Sequence, residues 1–256
     1  MVEKTRSIEK ERLDRLLVSQ GLATSREVAA RTILAGGVLV DGAIVDKPAK
    51  LVVCDAVIEI KQAAPYVSRS GEKLAAALDA FCLDPNGMIA LDVGCSTGGF
   101  TDCLLQRGAK RIYAVDVGYG LIDWRLRQDQ RVVLLERTNI RYVDRSLIPD
   151  LIKLAVIDVS FISLTLVLPA VVPLLENDGS LVALVKPQFE VGKGQVGSGG
   201  IVRDDAQRGA VTKKVIDCAV QLGLSPIGVL DSPVKGRKGN REILVGFRRQ
   251  GIISPS

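Results

Sequence analysis

The sequence predicts an α/β chain: a Rossmann-like domain with a mostly parallel sheet, preceded by a small α+β domain. Three observations carry this. Met88–Val93 is a short apolar run ending in an acid and a glycine cluster, after which Phe100, Cys103 and Leu104 fall at helical spacing; this is strand, tight turn and helix. Further apolar runs at 111–115, 132–135, 154–158 and 181–186 alternate with helical segments, which calls for parallel strands. Residues 9–60 carry short helices and strands of their own, and a proline-containing linker, 61–66, separates them from residues 67–250.

The small domain comes first. Leu13, Leu16 and Leu17, then Val28, Ala29, Thr32 and Ile33, mark two helices, broken at Gly21 and restarted by Thr24 or Ser25 as an N-cap. Gly36–Gly37 stops the second helix. Val38–Val40, Ala43–Val45 and Val57–Ile60 read as strands, with a turn at Asp41–Gly42. In the larger domain a helix is expected over Leu74–Phe81, with Lys73 at its start, where the helix dipole prefers an anion. A cation in that place is a functional candidate. The glycine-rich stretch Gln188–Gly200 reads as a mobile loop beside the site, and not as a phosphate loop, because Gly194 follows Lys193 with no Ser or Thr. A helix over about 204–222, a strand near 227–231, a basic loop over 234–241 and a last strand, 243–247, complete the sheet.

Composition narrows the function. The 256 residues leave room for two domains, and a hydrophobic content of 47% supports a large core. A net charge of +5 and a pI near 9.0 fit a polyanionic partner. Five cysteines with no C-x-x-C pair fit the reduced thiols of a cytoplasmic protein. The chain has no histidine, which excludes a histidine triad and a histidine-ligated zinc. Met1–Ser7 is charged and lacks the apolar centre of a signal peptide. Leu154–Leu175 has nearly the length of a membrane span and one charge, Asp158, but Pro169 and Pro173 divide it, which favours a buried core.

The glycine turn indicates what is bound. Gly94-Cys-Ser-Thr-Gly98-Gly99 lacks the G-x-G-x-x-G spacing of a dinucleotide site, and Asp92 would repel a pyrophosphate. An acid there suits a cationic amino-acid group instead. Asp92 near an ammonium, Gly94, Ser96 and Gly98 along the turn, and Asp116 at the next strand end on ribose hydroxyls describe an S-adenosyl-L-methionine site.

Ligands gather at the carboxyl ends of parallel strands, and Asp158 and Lys186 are strand-end residues on the same rim. Lys73 can reach it from its helix start, and Glu242 lies where the basic loop enters the last strand. Two lysines and two acids have a use in methylating a ribose hydroxyl, whose proton must be taken up as the bond forms. A free lysine ionises near ~10.4 and needs burial or a second cation to act near neutrality. Lys186 is therefore the expected base, Lys73 its cationic neighbour, Asp158 the orienting acid and Glu242 the support.

Two resemblances extend this reading. Arg12–Leu17, Gly21–Arg26, Ala30–Ile33, Gly36–Gly42 and Lys47–Pro48 resemble the RNA-binding domain named after small-subunit ribosomal protein S-four. That implies Arg12, Arg15, Arg26, Arg31 and Lys47 as contacts to RNA phosphates and shape, although residues 1–60 hold as many acids as bases. The order Lys73, Asp158, Lys186, Glu242 is similar to the FtsJ-type ribose 2'-O-methyltransferases, and the whole chain resembles the TlyA (hemolysin A) family. Supporting stretches are Tyr66–Arg69, Asp92–Phe100, Glu136–Ile140, Asp158–Ser163, Lys186–Glu190 and Gly239–Glu242, with Ser70 departing from an expected glycine. The resemblance implies methylation of ribosomal RNA or ribosomal subunits at a cytidine ribose, with Asn139 beside the adenine, no metal and no membrane partner. The competing classes are a non-catalytic ribosome-assembly factor and a membrane-active hemolysin. The modified nucleotide, the ribosomal subunit and the oligomeric state are not written in these motifs.

Overall fold

A computed structural model of the chain describes residues 9–61, 64–192, 198–236 and 239–250. The chain divides after Pro65 into two compact units.

In the first unit, β1 (Lys10–Arg12) runs into α1 (Leu13–Ser19), followed by α2 (Arg26–Leu34), β2 (Val38–Val40), β3 (Ala43–Ile44), β4 (Leu51–Val53) and β5 (Ile58–Ile60). Ser25 caps α2, its hydroxyl accepting from the Val28 amide at 3.2 Å, which satisfies one orphan donor of the first turn. The β2–β3 hairpin turns at Asp41 and Gly42, both at positive φ (50° and 77°), the geometry whose twist matches that of the flanking strands. Leu13, Leu16, Leu17, Ala29, Ile33, Val38, Val45 and Val52 form the core. The sequence reading lacks β1 and β4, which pair antiparallel over three residues each. Runs that short carry no readable alternation.

The second unit is the doubly wound domain. Its helices are α3 (Ser70–Ala80), α4 (Gly99–Gln106), α5 (Trp124–Arg127), α6 (Leu168–Val171), α7 (Pro187–Glu190) and α8 (Asp205–Gln221). Its strands are β6 (Ile89–Val93), β7 (Arg111–Val115), β8 (Val132–Leu135), β9 (Ile152–Ile157), β10 (Leu175–Val185), β11 (Leu224–Asp231) and β12 (Ile243–Arg249), in the order β11-β12-β10-β9-β6-β7-β8. From β8 to β10 neighbours are parallel, while β12 runs antiparallel to both β10 and β11. Both faces are covered, so the strands are apolar on both sides: Leu91 and Val93 enter one core, and Ala90 enters the other with α3 and α4.

Two expectations change here. Helix α3 starts at Ser70, so Lys73 lies within its first turn; the polar Ser-Gly-Glu-Lys opening hid that turn from a reading by apolar spacing. Gln188–Glu190 belongs to α7 rather than to a loop, and residues 193–197 of the expected mobile loop lie outside the described residues. The apolar stretch 154–175 splits into β9, short turns and α6, and no helix among the described residues is long and apolar enough to cross a membrane.

Candidate active site

The strand order places the carboxyl ends of β6, β9 and β10 side by side, with the start of β12 next to them. Gly94 leaves β6 at φ 84°, and a Cβ there would come within 2.5 Å of the Asp158 carbonyl oxygen. Only glycine permits both the left-handed backbone and that approach. Gly99 plays the same part for α4: a side chain there would run into the hydroxyls of Ser68 and Ser70 at the start of α3.

These close approaches frame a cavity of about 720 Å³ within the second unit, a size that suits a nucleoside-sized ligand. Its wall includes Lys73, Gly94, Ser96, Asp158, Lys186 and Glu242. Lys73 from α3 and Glu242 from the entry to β12, 169 residues apart, form a buried ion pair at 2.5 Å, with side chains 9% and 3% exposed. Lys186 lies 2.6 Å from Asp158 Oδ1. Yet that oxygen accepts no hydrogen bond of good angle, so the contact is one of charge rather than direction. The directed bond from Lys186 Nζ goes to Ser160 Oγ at 2.9 Å. The four residues expected to act together thus meet on one wall.

The residues expected around a cofactor divide into four positions. Gly94 and Ser96 line the cavity. Asp116 caps the turn: its carboxylate accepts the Ser96 and Gly118 amides, both at 2.7 Å, and each oxygen keeps a further lone pair for a hydroxyl donor. Asp92 and Gly98 lie under the turn rather than on the cavity wall. Asp92 is fully buried on the α4 side of the sheet, where Thr101 donates to Oδ2 at 2.6 Å and Oδ1 has no partner. Gly98, at φ 93°, faces Ile122 and Leu126. Asn139 accepts the Arg141 amide at 3.1 Å, closing the turn after β8.

Sequence reasoning missed Thr101, Ser160, Glu190 and Asn240. Asn240 is 3% exposed, accepts the Val202 amide and donates to the Gly200 carbonyl, pinning the segment next to Glu242. Each stands within or beside a quoted motif, which was the only available signal.

In the first unit Arg15, Arg31 and Lys47 are exposed. Arg12 and Arg26 both bond Asp14, at 2.8 and 3.2 Å, and hold its carboxyl well below the usual carboxylate range. Part of their charge is therefore spent inside the domain.

Burial pushes Asp92 up to about 7, against the Thr101 hydrogen bond and with help from the charges of Asp158 and Asp116. From about 4 to about 7 the unfolded chain ionises this group while the folded chain keeps the proton, so stability falls as pH rises through that window and levels off above it. Asp92→Asn should remove a decline of up to ~1.4 kcal/mol per pH unit, read as the difference in denaturant stability between variant and wild type. Parallel pH profiles for the two proteins would contradict the burial account.

Comparison with known proteins agrees with this architecture. Residues 66–249 match the FtsJ-like methyltransferase family and residues 11–55 the S4 domain. The 16S/23S rRNA (cytidine-2'-O)-methyltransferase TlyA of Mycobacterium tuberculosis is 47% identical over 241 residues, covering 93% of this chain and 90% of that protein. Hemolysin A of Brachyspira hyodysenteriae is 42% identical over 237 residues, 92% of this chain and 99% of that one. A solved chain from Streptococcus thermophilus that carries the hemolysin name superposes with a TM-score of 0.73 at 44% identity, covering 97% of this chain and 91% of its own. An S4 domain followed by an FtsJ-like methyltransferase domain, together with close relatives along nearly the whole length, makes this chain a member of the TlyA (hemolysin A) family.

Proposed function

We propose that this chain transfers a methyl group from S-adenosyl-L-methionine to the 2'-hydroxyl of a ribose in ribosomal RNA, with cytidine as the nucleoside. The observation that carries the reading is the pair of lysine–carboxylate contacts, Lys73–Glu242 and Lys186–Asp158, on the wall of one cavity in a chain without histidine. The relatives named as cytidine-2'-O-methyltransferases support the substrate and, with it, a cytoplasmic site of action.

The residues on the β6 and β7 side fit the cofactor. Gly94 and Ser96 give a wall free of bulky side chains, Asp116 has acceptor capacity for ribose hydroxyls, and Asp92 Oδ1, without a partner in the protein, is an acceptor that a cationic group would favour in its ionised form. When bound, S-adenosyl-L-methionine supplies an electrophilic methyl group. Lys186 Nζ, as the neutral amine, takes the proton of the 2'-hydroxyl and becomes the ammonium, Asp158 and Ser160 fix it in place, and Lys73, held by Glu242, positions the sugar. The first unit holds the RNA through Arg12, Arg15, Arg26, Arg31 and Lys47, by phosphate and shape contacts.

Two outcomes test this. Lys186→Ala should bind the cofactor within about 3-fold of wild type while methyl transfer to ribosomal subunits falls at least ~100-fold. Lys186→Arg should be equally inactive, since guanidinium keeps the charge but gives up no proton; activity in either variant removes the base assignment. A chain beginning at Tyr66 should keep cofactor affinity in calorimetry and lose at least ~10-fold in RNA affinity at matched salt. Unchanged RNA binding would refute the role given to the first unit.

A further inference from the structure

The loop that leaves β9 and the helix that follows β10 run alongside each other and touch at each step. Asp158 meets Lys186, Ser160 accepts from the same amine, and the Phe161 ring packs on the Phe189 ring with centroids 4.9 Å apart. The contacts end at Glu190, which takes a hydrogen bond from Ser163 Oγ at 2.5 Å on one carboxylate oxygen and from the Leu164 amide at 2.8 Å on the other. Glu190 is 5% exposed, and both bonds come from uncharged donors.

A buried carboxylate costs stability unless it is hydrogen-bonded, and here each oxygen accepts one hydrogen bond. What it holds is strained. Phe161 has φ 64°, in the left-handed region that bulky residues avoid, and the residue is 90% exposed, so beyond its one ring contact with Phe189 burial does little to compensate. A strained backbone persists only where its surroundings over-determine it. The bonds to Glu190 lie two and three residues beyond Phe161, and Asp158 lies three residues before it. The position of Asp158 and Ser160 relative to Lys186 therefore depends on how the far end of the loop is tied.

We propose that Glu190 is a positioning residue for methyl transfer: by tying Ser163 and Leu164 to α7, it holds the 158–164 loop in register with Lys186 and so sets the Lys186–Asp158–Ser160 geometry. The kinetic consequence rests on the function proposed above; the structural one does not. Glu190 lies behind the cavity wall, so its loss acts on the chemical step and leaves ligand binding intact. Its work is hydrogen bonding rather than charge, because a glutamine can accept from Leu164 and donate to Ser163.

The test uses the full-length protein in three variants, Glu190→Ala, Glu190→Gln and Ser163→Ala. Methyl transfer to ribosomal subunits, cofactor affinity and hydrogen–deuterium exchange over residues 159–166 are measured on each. Glu190→Ala should lower kcat about 10- to 100-fold, the scale set by a misplacement of about 1 Å, with KM and cofactor affinity within about 2-fold, and exchange in the loop should rise. Glu190→Gln should stay within about 3-fold of wild type in every readout. Ser163→Ala, which leaves the Leu164 bond in place and also gives up the hydroxyl that accepts the Thr165 amide, should lose several-fold in kcat with a small fall in Tm; it decides the matter if Glu190→Ala does not fold. Wild-type kcat in Ser163→Ala and Glu190→Ala overturns the proposal, as does a glutamine variant that falls as far as the alanine. If wild type itself transfers no methyl group, the proposed function fails, while the exchange data still decide whether Glu190 orders the loop.

Discussion

The buried pair of Lys73 and Glu242 is the contact on which the site depends. It joins the first turn of α3 to the start of the last strand across nearly the full domain, at 2.5 Å and almost out of water. Taking two such charges out of water costs several kcal/mol per ion, and a hydrophobic pair of similar volume would be as stable or more so. Stability alone therefore gives little reason for the pair. Its value lies in holding an ammonium group in fixed orientation at the wall of the cavity that Lys186, held by Asp158, also lines.

Around that pair the fold separates two tasks along the sheet. On the β6 and β7 side, glycine turns bring the backbone close and Asp116 orders the loop through two amides. On the β9, β10 and β12 side, charged groups gather and the loops carrying them are tied from behind by Glu190 and Asn240. Asp92 lies beneath the boundary between these two sides, bonded to Thr101 and kept from ionising easily by burial and by the neighbouring acids.

Much of this was legible in the sequence, for physical reasons. Strands buried on both faces read as apolar runs, and polar residues that end such runs must lie on the ligand rim, so Asp158 and Lys186 could be placed without coordinates. Other features left no such trace. Strands β1 and β4 are three residues long and show no period. The first turn of α3 is polar, so apolar spacing places its start at Leu74, four residues late. Asp92 is the same residue in the sequence whether it faces a ligand or lies beneath it, and only packing shows that Thr101 covers one oxygen. Glu190 stood inside a quoted motif, but its partners come from a different loop, a pairing that spacing along the chain does not report.

The central claim is that lysine amines, held by carboxylates, serve a ribose oxygen in place of imidazole. The most direct measurement is a structure of the full chain with S-adenosyl-L-homocysteine and an RNA fragment from a methylated ribosomal site. The account predicts Lys186 Nζ within about 3 Å of one ribose 2'-oxygen, with Lys73 beside the same sugar. A complex in which Lys186 stays on Asp158 while a base edge, rather than a sugar, faces the sulfur would contradict it.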